Sequence, residues 1–460
     1  MRPFCAGLIY AAMLAVSAGA FLVIRFFGRS LVAPETLVFR DSSHAAAPPA
    51  NIALAQMLLA LIVIIIVART LGSVFHLIGQ PRVIGEMIAG ILLGPSLLGR
   101  VAPGISAYVF PAAIVPFLSL IAQIGVILYM FIVGIQLDMK LLRQRLGTSI
   151  AISQASMVVP FMLGAAFALW LYPRLSTRSV PFTDFALFMG VAMSITAFPV
   201  LARILTDRQM QTSRIGTIAL ACAAAGDVTA WCLLAFVVSV ARARPGQAVL
   251  TVALTAGFIA LIVFLVRPEI RWLAQRQPHG NRTTADAIVI VCAALVAALA
   301  TEQIGIHALF GAFLIGVFVP HDSALANEVR NKLEDSVALF LLPVFFAFTG
   351  LRTEIGLVHS FRDWLVCILI IATASAGKLG GSLIAARVTG SGWREAASLG
   401  VLMNTRGLME LIVLNIGLDL GVISPSLFTM LVLMAIVTTV GTTPILQALS
   451  PRIDPESLRQ

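Results

Sequence analysis

Leu220–Phe236, LACAAAGDVTAWCLLAF, is a run of apolar and small residues that contains one charged side chain, Asp227. Its length is close to the roughly 20 residues that an α-helix needs to cross a bilayer. A carboxylate in the middle of such a helix costs about 2.5–3.5 kcal/mol to insert, so it has to pair, face water or bind a ligand. No basic residue lies near Asp227 in the sequence, which favours a functional role over a structural ion pair.

The composition of the whole chain matches this stretch. Of 460 residues, 59% are hydrophobic and 11% are charged, whereas an ordinary soluble domain has about 25% charged residues. Similar apolar runs recur along almost the whole length and predict an all-α polytopic membrane protein. The net charge of +10 then reflects orientation in the membrane and not nucleic-acid binding. No cofactor is expected, and the cysteines indicate packing residues because none has metal-ligand spacing.

The apolar runs predict fourteen spans, of which the first has two interpretations. Residues 1–31 have the basic start, apolar stretch and small-residue end of a signal peptide, but the same run could stay as an extra transmembrane helix. Residues 32–51 are predicted to be an external linker, 52–447 the transmembrane domain and 448–460 a short cytoplasmic tail. The predicted spans are 4–24, 52–70, 84–99, 113–137, 148–172, 183–205, 215–240, 249–267, 285–301, 305–319, 335–350, 363–387, 396–418 and 424–447.

The distribution of basic residues predicts the orientation. If the N-terminus is cytoplasmic, the segments on that side have almost twice as many Lys and Arg residues as the outer segments. Because positive residues are enriched on the cytoplasmic side, the bias predicts a multi-pass protein of the plasma (inner) membrane with a cytoplasmic C-terminus.

Six segments indicate an internal repeat among the last thirteen spans. Three segments of the first half resemble three of the second half in the same order, at offsets that drift smoothly. Six helices and one linking helix would place the second copy upside down, which is the inverted-repeat plan of secondary transporters. The matched pairs are AGILLGP (89–95) with GAFLIGVFVP (311–320), GIQLD (134–138) with GLRTE (350–354), and MSITAFPV (193–200) with LMNTRGLM (402–409).

Four further charges lie at membrane depth besides Asp227. Glu86 lies near the start of its span, where a residue at the membrane edge is the alternative to a functional one. Arg406 and Glu410 are four apart, so they could form an ion pair on one helix face. Lys378 lies within a span and is either a structural partner or part of a site.

Two spans contain helix breakers next to oxygen-bearing side chains. Unwound backbone at membrane depth is tolerated only where it is buried or lines a cavity, and half-helix ends there offer carbonyl oxygens to a cation. A simple proline kink is the alternative. The residues are Ser194, Thr196 and Pro199 in AMSITAFPVLARIL, and Asn404, Thr405 and Gly407 in GVLMNTRGLMELIVL. An acid close to such segments can hold either a proton or a small cation, which is the competition that an antiporter needs.

Long motifs resemble those of the monovalent cation:proton antiporter-2 family, which includes bacterial Na⁺/H⁺ and K⁺/H⁺ antiporters and plant cation/H⁺ exchangers. The resemblance spans roughly residues 52–447. The motifs are QPRVIGEMIAGILLGPSLLGR, SITAFPVLARIL, GDVTAW, FFAFTGLRTEIG, GKLGG and LMNTRGLMELIVLNIG.

The resemblance implies a thirteen-helix core with two crossed, discontinuous helices, 183–205 and 396–418. It also implies a homodimer in a lipid bilayer, with a mobile core domain that slides against a dimerisation domain. Asp227 matches the ion-binding aspartate of the family, Thr196 the first unwound segment, and Lys378 a basic residue of the core.

One position departs from the family pattern. Relatives usually have Asp-Asp or Asn-Asp where this chain has Gly226 and Asp227. The acid that the basic residue is thought to pair with in Asp-Asp members is missing. Lys378 must therefore pair with Asp227, find Glu86 or Glu410, or be neutral, and the stoichiometry of exchange depends on which of these holds.

The leading hypothesis is a Na⁺/H⁺ or K⁺/H⁺ antiporter that is not an enzyme and binds no metal beyond the transported cation. A sodium-coupled carrier of a small organic solute is the alternative, although such a solute would need a wider polar cavity. A membrane enzyme would need a nucleophile–base pair or a set of metal ligands within the spans, and the sequence has no recognisable one. Two broken helices around one acid fit a single alternating site better than they fit the continuous pore of a cation channel.

Overall fold

The computed structural model describes residues 3–34, 50–136, 146–208, 210, 213–242, 248–275, 281–305 and 307–449. These residues form helices and connecting turns, without a strand. Ten helical stretches of the described residues, some of them made of consecutive helices, are long and apolar enough to cross a membrane, or eleven when one bent pair is counted as a span, and three apolar helices are shorter. The predicted all-α polytopic fold is confirmed, while the count of thirteen core helices stays a prediction.

The main helices follow the predicted spans in order. They are α1 (Pro3–Gly28), α2 (Ala50–Leu77), α3 (Arg82–Leu93), α4 (Val115–Gln136), α5 (Leu146–Leu175), α6 (Phe182–Ser194), α7 (Phe198–Asp207), α8 (Arg214–Arg242), α9 (Ala248–Leu261), α10 (Asn281–Ile304), α11 (Ala308–Phe318), α12 (Ala324–Ser336), α13 (Leu342–Leu351), α14 (Phe361–Val388), α15 (Trp393–Met403), α16 (Leu408–Asp419) and α17 (Pro425–Leu449).

The helix around predicted span 335–350 begins earlier than hydropathy indicated. Its first part is α12, a segment with five charged side chains, which joins α13 through a π-helical turn. Ser323 caps α12, because its hydroxyl accepts a hydrogen bond from the Ala326 amide at 3.1 Å. A cap and helix-forming charged residues extend a helix where apolar character alone predicts a loop.

Predicted span 84–99 is shorter as a continuous helix. α3 ends at Leu93, and Gly94 has extended backbone angles (φ −84°, ψ −168°). Pro95 follows, and a residue before proline is driven away from the helical conformation. The chain then continues in two short helices, Leu98–Val101 and Pro103–Val109.

The helices form two bundles. The first bundle consists of α2–α4 and α10–α13, and the second of α5–α8 and α14–α17, since helices within each set pack mainly against one another. Contacts between the bundles include Arg352, the residue after α13, whose guanidinium donates to Asn415 Oδ1 at 2.9 Å and to Asp419 Oδ1 at 2.6 Å in α16. In general, two packed bundles with few interlocking helices at their boundary can shift relative to each other.

The packing of four glycines supports the repeat. A Cβ atom on Gly316 of α11 would lie 3.0 Å from Gly134 Cα of α4. The residues that match these two in the other copy are Gly94 and Gly350, and a Cβ on Gly94 would lie 3.3 Å from the Gly350 carbonyl oxygen. Equivalent positions of the two copies therefore make equivalent close backbone contacts, which glycine permits because it has no side chain.

Both predicted discontinuous helices are broken where the sequence indicated. Residues 195–197 separate α6 from α7, and residues 404–407 separate α15 from α16, whose axes differ by 42°. The two breaks touch, because the Ala197 amide donates to the Thr405 carbonyl oxygen at 3.0 Å. Each break thus supplies a backbone partner to the other, so two unwound segments can be buried together.

Several predicted boundaries fall partly outside the described residues. The linker at 32–51 includes residues 35–49, and the tail at 448–460 includes residues 450–460, all of which lie outside them. Residues 3–28 form α1, and its Phe21 ring lies 6.2 Å from the Phe161 ring of α5. Both interpretations of residues 1–31 stay predictions.

Candidate functional site

Asp227 lies in α8 and is only 2% exposed. Neither of its carboxylate oxygens has a hydrogen-bond partner. The Lys378 ammonium acts on the carboxylate through its charge, and the backbone amide of Phe198, the first residue of α7, lies near it outside normal hydrogen-bond geometry. A buried charge normally pairs, so a buried carboxylate without such a partner is unusual.

Lys378 is linked to the first break instead of to Asp227. Its ammonium donates to Thr196 Oγ1 at 2.6 Å, and that hydroxyl donates to the Met403 carbonyl oxygen at 2.9 Å. Thr196 therefore connects the lysine of α14 to the end of α15. Ser194 does not extend this network, since its hydroxyl donates to the Val191 carbonyl oxygen within α6 at 2.9 Å.

Arg406 and Glu410 form the ion pair that their spacing allowed, with 2.8 Å between Nη1 and Oε2 and both side chains fully buried. Arg406 lies in the unwound break and not on the helix that contains Glu410. Its guanidinium also donates to the carbonyl oxygens of Ala192 and Met193, each at 2.8 Å. A positive charge at the C-terminal end of α6 is favourable, so Arg406 fastens the two breaks together.

The second break offers two oxygens without a partner. Asn404 donates from Nδ2 to Ser375 Oγ at 3.4 Å, which leaves its Oδ1 unpartnered, and the buried Thr405 Oγ1 is also unpartnered. Gly407 permits close packing of the breaks, because a Cβ there would lie 2.6 Å from Val200 Cγ2. Side-chain amide and hydroxyl oxygens of this kind are suited to hard cations.

Two predicted residues have a different place. Glu86 lies on α3 in the first bundle, and the charges that act on it are Arg69 and Arg82. The structure therefore does not bring Glu86 to Lys378, whose charged neighbours are Asp227, Arg406 and Glu410. Pro199 is the second residue of α7, a position where proline begins a helix well because its missing amide is not needed there.

A small cavity with an apolar surface lies beside Asp227. The cavity has room for about one water molecule, and Asp227 and Trp231 of α8 form part of its lining. The rest of its lining is apolar and consists of Ile195, Ala230, Leu234, Met409 and Val413. The cavity thus touches the first break, α8 and the start of α16 at once.

Sequence reasoning missed three residues of this region. Trp231 follows Asp227 by one helical turn within GDVTAW, a spacing that could have identified it. Thr439 of α17 accepts a hydrogen bond from the Arg406 amide at 3.1 Å, and Ser375 accepts from Asn404. Thr439 and Ser375 gave no local signal, because their roles depend on which helices pack together.

The arrangement can bind one small positive charge. A free carboxylate, buried oxygens and backbone carbonyls at helix breaks are the ligands that membrane transporters offer to Na⁺ or to a proton. Glu410 is neutralised by Arg406, so Asp227 is the acid with capacity for an added cation.

Comparisons with known proteins find similar ion antiporters. The model of the family described as "Sodium/hydrogen exchanger, transmembrane" matches residues 57–449. The Na(+)/H(+) antiporter NhaS4 of Synechocystis sp. is 44% identical over 396 residues, which cover 85% of this chain and 96% of that protein.

Two eukaryotic proteins are also similar. Cation/H(+) antiporter 20 of Arabidopsis thaliana is 38% identical over 414 residues (87% of this chain, 49% of that protein). K(+)/H(+) antiporter 1 of Saccharomyces cerevisiae is 33% identical over 398 residues (84% of this chain, 46% of that protein). This chain therefore spans about half the length of these two relatives.

A solved structure has the same fold. The sodium proton antiporter MjNhaP1 from Methanocaldococcus jannaschii superposes with a TM-score of 0.62 at 14% sequence identity. The match covers 86% of this chain and 97% of that one.

Proposed function

Because this chain belongs to the transmembrane sodium/hydrogen exchanger family, as its motifs predicted, we propose that it exchanges a monovalent cation, Na⁺ or K⁺, for protons across the membrane. Asp227 binds the cation or the proton, one at a time. The observation that carries this proposal is a carboxylate 2% exposed, with both oxygens free, beside two crossed helix breaks. The names of the relatives, which include both Na⁺/H⁺ and K⁺/H⁺ antiporters, support both cations as candidates.

Asp227 and the two breaks supply different ligands to the cation. The carboxylate supplies the charge, and Asn404 Oδ1 and Thr405 Oγ1 supply neutral oxygens. Lys378 stays on Thr196 and keeps a fixed positive charge near the site. When the cation leaves, a proton replaces it on Asp227, because an ionised acid is costly in a buried position.

Alternating access follows from the two bundles. Asp227 belongs to the second bundle, and Trp231, one turn further along α8, contacts Phe313 of the first bundle with 6.2 Å between ring centroids. A shift of one bundle along the other would expose the carboxylate first to one side of the membrane and then to the other. The family resemblance and the positive-residue bias support a homodimer in the plasma membrane with a cytoplasmic C-terminus.

The alternative of a sodium-coupled carrier for an organic solute has weaker support. The cavity beside Asp227 holds about one water-sized particle, and its other lining groups are apolar apart from one indole. An organic solute needs more volume and several polar partners.

The test is cation-driven proton flux in liposomes that contain the purified protein and a pH-sensitive dye. Addition of Na⁺ or K⁺ to one side should move protons in wild-type liposomes without any organic solute. Liposomes with Asp227→Asn, in which the amide keeps the shape of the acid, should give no such flux. A pH change that requires an added organic solute would contradict the proposal.

A further inference from the structure

A cluster of polar side chains links the two bundles at one end of their boundary. Arg352, which follows α13 in the first bundle, donates to Asn415 Oδ1 at 2.9 Å and to Asp419 Oδ1 at 2.6 Å. These two acceptors lie one turn apart in α16 of the second bundle. In the same place Asn415 Nδ2 donates to Thr349 Oγ1 of α13 at 2.9 Å. All three hydrogen bonds therefore cross from one bundle to the other.

The cluster runs from the interior to the surface. Thr349 and Asn415 are buried, whereas the Asp419 side chain is half-exposed. Arg352 is oriented by its own bundle, because its guanidinium lies 5.5 Å from the Phe348 ring centroid and its backbone amide donates to the Phe348 carbonyl oxygen at 3.2 Å. If the bundles separated here, water could solvate the two charged groups, so these contacts can be broken and made again at moderate cost.

The cluster belongs to only one end of the boundary, as α17 shows. Near the start of α17, Thr429 donates to the carbonyl oxygen of Glu354, two residues after Arg352, at 3.4 Å. Near the other end of the boundary, Gln80, between α2 and α3, donates to the Val440 carbonyl oxygen at 3.3 Å. Thr429 and Val440 are eleven residues apart in α17, which is about 16 Å along a helix. In the orientation that the positive residues indicate, the Arg352 end faces outward.

We propose that Thr349, Arg352, Asn415 and Asp419 form a latch, which closes the outer end of the boundary and stabilises the access state that opens to the inside. A shift of one bundle along the other would break bonds of 2.6–2.9 Å, so the latch exists in one access state and not in the other. Contacts made in only one of two states shift the equilibrium toward that state. The inference rests on the proposed antiport function and concerns the population of its access states.

The experiment measures cation-dependent proton flux in membrane vesicles of both orientations, so that the cation is offered to one face at a time. Arg352→Gln should lower the apparent KM at the outer face roughly twofold to fivefold, the range for a partly exposed ion pair, because apparent affinity follows the population of the competent state. The KM at the inner face should not fall.

Two further variants sharpen this measurement. Asp419→Asn should shift the outer KM in the same direction, and the double change with Arg352→Gln should shift it by less than the sum of the single changes, since both residues belong to one contact. Lys332→Gln is the matched control, because it breaks an ion pair with Glu328 (3.4 Å) that lies entirely within α12. It should leave the KM at both faces at the wild-type value.

A contact that stays intact throughout the cycle is the alternative to a latch. An unchanged KM in Arg352→Gln, or an equal change at both faces, would favour that alternative and overturn the inference. Wild-type vesicles without any cation-dependent proton flux would instead defeat the proposed function itself.

Cross-linking gives a second test that does not depend on KM. In a background without the five native cysteines, a reducible bifunctional thiol reagent would join Arg352→Cys to Asp419→Cys. The cross-link should arrest flux, and its reduction should restore flux. The same reagent across Glu328→Cys and Lys332→Cys, within α12, should leave flux unchanged. Flux that continues while the Arg352–Asp419 cross-link is intact would contradict the latch.

Discussion

Asp227 and Glu410 are two buried carboxylates of one bundle with opposite surroundings. Glu410 is 0% exposed and bonds to Arg406 at 2.8 Å, and that arginine also holds two carbonyl oxygens at the end of α6. Asp227 is 2% exposed, and neither of its oxygens has a hydrogen-bond partner. Both acids lie close to the crossed breaks, so burial alone does not distinguish them.

The difference lies in what each acid can still accept. A carboxylate with a fixed guanidinium partner is neutralised and structurally committed, and its removal leaves a buried unpaired charge. A carboxylate without a partner can take up a proton or a cation and release it again. On this comparison we propose that Glu410 joins the breaks and that Asp227 serves transport.

The largest expected effect is a difference in cation-dependent proton flux between variants of the two acids. Asp227→Asn should abolish cation-dependent proton flux, because the amide cannot titrate or supply a negative charge. Glu410→Gln, the matched change at the other acid, should retain flux per correctly folded molecule. Reconstituted flux normalised to the amount of monodisperse protein checks both, and loss of flux in Glu410→Gln alone would reverse the assignment.

Heat stability should show the opposite order. Glu410→Gln leaves Arg406 without its charged partner and should destabilise the protein by about 3–5 kcal/mol, the range for breaking a buried pair. Asp227→Asn should leave the melting temperature unchanged or raise it, since it removes an unpaired buried charge.

Detergent-purified protein, heated and then assayed by size-exclusion chromatography, gives the measurement. The double change Arg406→Met and Glu410→Leu should recover part of the stability that Glu410→Gln loses, because it removes both charges. Equal melting temperatures for the two single variants would mean that the Arg406–Glu410 pair does not hold the breaks together.

A smaller effect is expected for the neutral oxygens of the two breaks. Thr196→Val removes the acceptor of Lys378 and the bond to Met403, and Asn404→Leu removes a free amide oxygen. Each should raise the apparent KM for the cation roughly threefold, in line with about 0.6 kcal/mol for an interhelical hydrogen bond in a membrane.

The control is Thr301→Val in α10. Thr301 is also buried, lies in the first bundle and donates to the carbonyl oxygens of Ala297 and Ala298 in its own helix. Its KM should match the wild type. An unchanged KM in both Thr196→Val and Asn404→Leu would indicate that the breaks act only as kinks.

The smallest expected effect is that of membrane voltage. If Lys378 stays charged on Thr196, Asp227 exchanges one proton for one monovalent cation and no net charge moves. Gly226→Asp would add an acid next to Asp227 and should shift exchange toward voltage dependence. The site has room, because a Cβ on Gly226 would lie 3.6 Å from its nearest neighbour, Ser153 Oγ.

Flux in liposomes with and without an imposed potential checks this prediction. A clear voltage dependence in the unmodified protein would contradict one-for-one exchange. Gly226→Ala is the control, since it fills the same space without a charge and should keep flux independent of voltage.

The strongest features were predictable from sequence because they violate the apolar pattern. Three residues interrupt the apolar pattern of the sequence, namely Asp227, Pro199 and Gly407. In the structure, Asp227 is the buried acid, and Pro199 and Gly407 lie at or next to the two breaks. The thirteen-helix count, by contrast, depends on helix ends such as that of α12, where a serine cap and charged residues extend the helix beyond its apolar part.

The rest depends on packing between helices that are distant in sequence. Whether Glu86 or Glu410 faces Lys378 is decided by which bundle each joins, and local spacing contains no such information. The same holds for Thr439 at the Arg406 amide.

Proton release on cation binding tests the central claim most directly. Purified protein in weakly buffered detergent solution, at a pH where the site is protonated, should release up to one proton per molecule when Na⁺ or K⁺ is added. Glu410→Gln should release as much as the wild type, and Asp227→Asn should release none. Release of the same size from Asp227→Asn would contradict the assignment of cation and proton to one free carboxylate.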